Sequence, residues 1–229
     1  MKKIVLIPLV LCSLLVISSC STNEVTNSSQ IQEQNIEGVT PISPNDIEQQ
    51  LNSIDKATIS QTEIDSIIWM REEEKLAKDV YTTLGQVWGI NIFTNISSAE
   101  QTHTDSVKTL IDRYGLEDPI TDETIGIFKN ETFSKLYQDL VKQGSSSLVE
   151  SLKVGALIEE LDIKDLQERV TTTADIDLVF QNLERGSRNH LRAFTRQLSQ
   201  QGETYVPIYI SQSEYDEIIS GEIERGMSN

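Results

Sequence analysis

Cysteine is nearly missing from this chain of 229 residues, and the only two, Cys12 and Cys20, stand close to its start. Beyond Cys20 no disulfide, catalytic thiol, zinc ribbon or iron–sulfur cluster can be built. Basic residues are few: 19 Lys and Arg face 36 Asp and Glu, a net charge of −17. A nucleic-acid partner needs a basic face, and none is available. Histidine occurs twice, at His103 and His190. No Gly-rich phosphate loop and no nucleophile elbow is present, so nucleotide-binding and serine-hydrolase chemistry have no support. The only long apolar run, Ile4 to Ile17, is too short to be a convincing membrane-spanning helix. A metal held by this chain would sit among oxygens and imidazoles, a donor set that suits iron or manganese.

The chain opens with Lys2 and Lys3, the apolar run, and then Ser18, Ser19 and Cys20. A basic start, a short hydrophobic stretch and small residues before a cysteine describe a secretory signal. With Ile17-Ser18-Ser19-Cys20 it resembles a bacterial lipoprotein signal. That resemblance implies removal of residues 1–19, lipid on Cys20, and a place in the cell envelope on the periplasmic or extracellular face of a bacterial membrane. An uncleaved anchor is the alternative. Residues 20–62, rich in Asn, Ser, Gln, Thr and Glu and broken by Pro41 and Pro44, read as a flexible tether. Residues 63–229 form one domain of ordinary size.

Hydrophobic spacing predicts four long helices in that domain. The first covers about Thr62 to Gln86 and ends near Gly89, with Trp88 and Phe93 capping the core. The second starts at Asn95 or Ser97 and stops at Tyr114-Gly115. A long connection follows, with a short helix over Phe133 to Val141, and it lets the third helix, Leu148 to Val170, start at the far end. Asp175 is the expected cap of the fourth. The tail over Tyr205 to Ile210 reads as extended, before a last short helix opening at Ser213.

At about 100° per residue, each long helix carries polar residues inside its apolar stripe. Glu74 lies with Ile67, Met70, Ala77 and Tyr81, while Glu72 and Glu73 turn away. Glu100 and His103, three residues apart, share a sector with Ile96, Val107 and Leu110, so both can reach one ion. Glu159 projects from the middle of its stripe and Glu160 points aside. His190 lies toward the edge of the last stripe, with Ser187 near its centre. Taken alone, each has an ordinary explanation, a satisfied core histidine or a solvated glutamate. Three carboxylates buried together would repel and lose hydration, and the same sectors offer no Lys or Arg to neutralise them. A bound cation resolves the conflict. Glu74, Glu100, His103, Glu159 and His190 are therefore the candidate metal ligands, with Ser187 an additional candidate.

Trp69 to Ala77, Glu100 to His103, Gly155 to Ile163 and Gly186 to Arg192 resemble, in this order, domain-of-unknown-function family 2202. More broadly they resemble the ferritin-like superfamily of di-iron carboxylate proteins. The likeness covers about Glu63 to Ile219. It implies an all-α, ferritin-like four-helix bundle with a crossover between the second and third helices. It also implies a site of two iron ions, or manganese, with oxygen or peroxide as reaction partner. Tyr81, seven residues after Glu74, keeps the Glu-to-Tyr separation of the ferritin first helix, where the tyrosine lies beside the metal centre, and is the candidate catalytic residue. A symmetric site takes Glu-x-x-His from two helices. The second motif here reads Ser187-Arg188-Asn189-His190, so one bridging carboxylate is missing, and Asp162 and Glu184 are the substitutes to consider. The resemblance implies an oxidoreductase that oxidises ferrous iron or consumes oxygen or peroxide, with its electron donor unidentified and a homodimer left open. The competing class is a non-enzymatic lipid-anchored helical protein that binds a partner and keeps a relic or single-metal site.

Overall fold

The computed structural model describes residues 44–169 and 171–226. The signal, Cys20 and the first part of the expected tether lie outside the described residues, as does Val170. Among the described residues the chain is all-helical, with seven helices and no strand. None of those helices is long and apolar enough to cross a membrane.

Order begins earlier than the composition suggests. Helix α1, Pro44–Leu51, occupies the stretch read as tether. Pro44 stands at the first helical position, where a missing N–H removes no bond. Ile47 and Leu51, four residues apart, are buried against the lower core. A two-residue apolar anchor is too sparse to stand out from a polar background.

Helix α2, Gln61–Trp88, starts from a capping box in which Ser60 and Glu63 satisfy each other's backbone N–H. It stops at Gly89, whose φ of 65° is open to glycine without penalty. Helix α3, Asn91–Tyr114, follows at once, so it begins about a turn before Asn95 or Ser97. Ile90 stands at its N-cap without a side-chain bond, which is why cap chemistry did not reveal the start. Helices α4 (Glu131–Gly144), α5 (Leu148–Glu168), α6 (Ala174–Gln200) and α7 (Gln212–Ser220) complete the chain. Thr173, not Asp175, is the N-cap of α6. Asp175 lies inside the first turn, fully buried, and accepts from Arg113 Nε at 2.7 Å and the Tyr114 hydroxyl at 2.6 Å. The last helix is capped by Ser211.

Helices α2 and α3 form one hairpin, and α5 and α6 another. The segment between them carries α4 across α2 and α5, and the hairpins meet through α3 with α6 and α2 with α5. The interior is layered. One apolar cluster gathers Tyr81, Phe93, Leu152, Phe194 and Leu198. The other gathers Ile67, Met70, Val107, Leu110, Ile176 and Leu183. Between them along every long helix lie buried polar residues: Glu74 on α2, Glu100 and His103 on α3, Glu159 and Asp162 on α5, Ser187 and His190 on α6.

Candidate metal centre

The periodicity that builds the helices delivers these side chains to one place. Glu74, Glu100, His103, Glu159 and His190 are each no more than 2% exposed. Glu100 is central: its Oε2 lies 2.8 Å from His103 Nδ1, and its Oε1 lies 2.8 Å from His190 Nδ1. Glu74 Oε2 approaches His103 Nδ1 at 3.3 Å, and Glu159 Oε2 approaches His190 Nδ1 at 3.4 Å. The two imidazoles stack with ring centres 5.4 Å apart. The arrangement has an approximate two-fold character, with one carboxylate and one imidazole on each side of Glu100.

These contacts are close but are not hydrogen bonds. Both Nδ1 atoms, Glu74 Oε1 and Glu100 Oε1 are buried without a hydrogen-bond partner. Their charges attract, but these donors and acceptors lack the directed bonds that a finished core supplies. Donor atoms that crowd together without aiming at one another are what a shared third body requires. Glu100, His103 and His190 form a buried group able to hold a metal ion, their ligand atoms all within 4.8 Å of one another. Gly186 makes room for it: a Cβ there would lie 2.5 Å from His103 Cε1 and Nε2.

The electrostatics show the same conflict. Burial pushes the Glu74 carboxyl up to about 7 against the pull of His103. Burial and the charge of Glu100 push Glu159 up to about 7. Burial also opposes ionisation of Glu100, yet the two imidazoles hold it well below the carboxylate range. For His190 burial works against the charge, but Glu100 and Glu159 hold it up to about 9, and His103 is raised in the same way. Without a cation the cluster must keep protons to balance itself, and a cation would take their place.

Tyr81 reaches this group through Glu159. Its hydroxyl donates to Glu159 Oε1 at 2.5 Å and lies 3.2 Å from Gly155 O, so here it orients a carboxylate. Ser187 donates to Asp162 Oδ2 and to Leu183 O. Asp162 Oδ1 is buried without a partner. Asp162 thus stands one turn along α5 from Glu159, opposite the position where a second Glu-x-x-His would carry its glutamate. Glu184 turns away and pairs with Arg188 at 3.0 Å.

The residues that helical angles turn away from the centre are not solvent-exposed. Glu72, Glu73 and Glu160 do leave the centre, but all three are buried. Glu72 accepts the backbone N–H groups of Lys129 and Asn130 and so pins the start of α4. Glu160 accepts the N–H groups of Ile208, Tyr209 and Ile210 and the Tyr205 hydroxyl. Glu72 is covered by α4 and Glu160 by the C-terminal tail, elements that helical angles alone do not place, while Glu73 accepts from the Trp69 indole N–H at 3.0 Å. Buried cations also exist nearby, but they are engaged elsewhere. Lys75 pairs with Asp79 at 2.5 Å and donates to Thr124 O, and Arg71 holds Asp118 and Thr104 O.

A family model described as an uncharacterized protein domain, DUF2202, matches residues 63–222. The chain belongs to the DUF2202 family. The match takes in every residue of the centre and the four long helices except the first two residues of α2. This DUF2202 chain is similar to the uncharacterized protein MJ0754 of Methanocaldococcus jannaschii, 51% identical over 180 residues, covering 78% of this chain and 97% of that one. It also resembles the crystal structure of the hypothetical protein MJ0754 from Methanococcus jannaschii DSM 2661. There the identity is 50% and the TM-score 0.74, over 75% of this chain and 99% of the other.

Proposed function

We propose that this DUF2202 chain is a ferritin-like protein that holds two iron or manganese ions, oxidises ferrous iron or consumes oxygen or peroxide, and is fixed to the cell envelope by lipid on Cys20. The single observation that carries the reading is Glu100, whose two oxygens each lie 2.8 Å from a different imidazole with no hydrogen bond formed. A carboxylate placed so can bridge two ions, Glu74 and His103 serving one and Glu159 and His190 the other. A bound pair of redox-active ions would supply the electrons that oxygen or peroxide takes up.

The chain's own part is to fix and isolate. Glu100 and His103, three residues apart on α3, are held in register by the helix. Tyr81 locks one oxygen of Glu159 by donating to it, which leaves the other toward His190. The apolar clusters above and below exclude water, so charges inside the layer act at short range with little screening. Protons held on the imidazoles and on Glu74 and Glu159 would leave as ions bind. Downstream of Cys20 no cysteine is available to relay electrons, so the reductant must come from outside the chain.

Elemental analysis after loading with iron and, separately, manganese tests the reading. Close to two ions per chain is expected. A stoichiometry well below one with both metals, and no consequence of Glu100→Ala, would reduce the chain to a helical scaffold with a relic site.

A further inference from the structure

Glu159, Asp162 and Asp165 stand three residues apart on α5 and so run along one side of it. Exposure falls along the row, from 16% for the Asp165 side chain to 5% for Asp162 and 2% for Glu159. Glu73 joins it from α2. The Trp69 indole N–H lies 3.0 Å from Glu73 Oε2 and 2.8 Å from Asp165 Oδ2, which holds these two carboxylates side by side across the helix pair. Deeper in, Ser187 fixes Asp162 by one oxygen and leaves the other buried and unpartnered. Asp162 stands one turn from Asp165 on one side and one turn from Glu159 on the other, and so lies between the Glu73–Asp165 pair and the centre. At the outer end Arg169 lies over the Trp69 ring at 4.8 Å, with Nη2 3.4 Å from Asp165 Oδ2.

We propose that Asp165, Glu73 and Asp162 form the entry path by which a divalent cation passes from the surface between α2 and α5 to the centre, with Arg169 as a counter-cation at the mouth that the incoming ion displaces. The inference rests on the metal-binding reading above. Carboxylates spaced a turn apart offer successive oxygen ligands, so the ion need never lose its hydration without replacement. A purely structural role for Asp165 and Glu73, as twin acceptors for Trp69, would leave Asp162 Oδ1 without a purpose and would give Arg169 no influence on uptake.

The test is the rate at which the full-length chain takes up Mn²⁺, followed by loss of the free-ion electron paramagnetic resonance signal, and its release to a chelator. Asp165→Asn and Asp162→Asn keep an acceptor oxygen for Trp69 and Ser187, and melting temperature checks that each variant folds. Both should slow uptake about tenfold with an unchanged endpoint, and should slow release by the same factor, because a path alters both directions alike. Arg169→Gln should speed both. Glu168→Gln, which removes an exposed charge paired with Lys164 on the same helix, should change neither. Rates equal to the parent in Asp165→Asn and Arg169→Gln would overturn the path even if Asp162→Asn failed to fold. A lowered endpoint in Asp162→Asn would overturn it by making that residue a ligand. A parent chain that takes up neither Mn²⁺ nor, by chelator competition, Fe²⁺ would overturn both the path and the centre.

Discussion

Glu159 and Glu160 are neighbours in sequence with opposite duties, and Glu160→Ala isolates the second. Glu160 Oε1 accepts from Ile208 and Ile210 N–H at 2.6 and 2.8 Å and from Tyr209 N–H, while Oε2 accepts the Tyr205 hydroxyl at 2.6 Å. Ile208 and Tyr209 are exposed and can turn to water, but Tyr205 and Ile210 are buried. Two stranded buried donors at about 1–3 kcal/mol each give a loss of about 2–6 kcal/mol for tail docking. Hydrogen exchange is the direct assay. Even the lower figure means that the Ile210 amide exchanges about 30-fold faster, at 1.4 kcal/mol per tenfold. Glu160→Gln keeps one carbonyl oxygen for the three N–H groups and an amide that can donate to the Tyr205 oxygen, so most protection should return. Metal content should match the parent in both variants, whereas Glu159→Ala should lower it and leave the tail in place. Unchanged exchange at Ile210 in Glu160→Ala would refute the anchoring role.

Gly186→Ala should raise helix propensity by about 1 kcal/mol while overpacking His103 by about 1–3 kcal/mol. The net should be a loss of about 0–2 kcal/mol, and the displaced imidazole should weaken metal binding about 10–100-fold in chelator competition; unchanged affinity would remove His103 from the centre. Glu63 accepts the hydroxyls of Thr171 and Thr173, both at 2.6 Å, and these lower its carboxyl to about 2 from an ordinary 4.5. A folded-state value below the unfolded one gives stability that is present above about pH 4.5 and lost as pH falls toward 2. The gap in melting temperature between the parent and Glu63→Gln should therefore close across that window, and a constant gap would contradict the assignment. Cys20→Ala should release the chain from membranes in fractionation, and unchanged association would favour an uncleaved anchor.

Helical periodicity made Glu74, Glu100, His103, Glu159 and His190 legible because a polar residue on an apolar stripe is conspicuous, and it separated Glu159 from Glu160 by their 100° turn. It could not show that the opposite faces were also covered. Glu72 and Glu160 look solvated until α4 and the tail arrive, and those elements contact α2 and α5 from far along the chain, where no local rule connects them. The start of α3 is hidden because Ile90 gives no capping signal, and α1 because two apolar residues among polar ones leave almost no periodicity. Spacing offers Asp162 only as a poor substitute for the absent glutamate. Its partnership with Ser187 depends on α5 and α6 meeting at one level, which side-chain angles on separate helices do not determine.

The division of the polar layer between two hairpins bears on how the molecule assembles. Glu74, Glu100 and His103 belong to the α2–α3 hairpin, and Glu159 and His190 to α5–α6. Each hairpin can form from local contacts, but joining them drives carboxylates of the two units into one desolvated layer. With the proposed ions, docking and capture become linked equilibria: neither half is a good site alone, and ions bound only by the joined form stabilise it in proportion to the logarithm of their free concentration. A chain starved of metal should then come apart first along the seam between its hairpins, leaving each pair of helices to unfold after it.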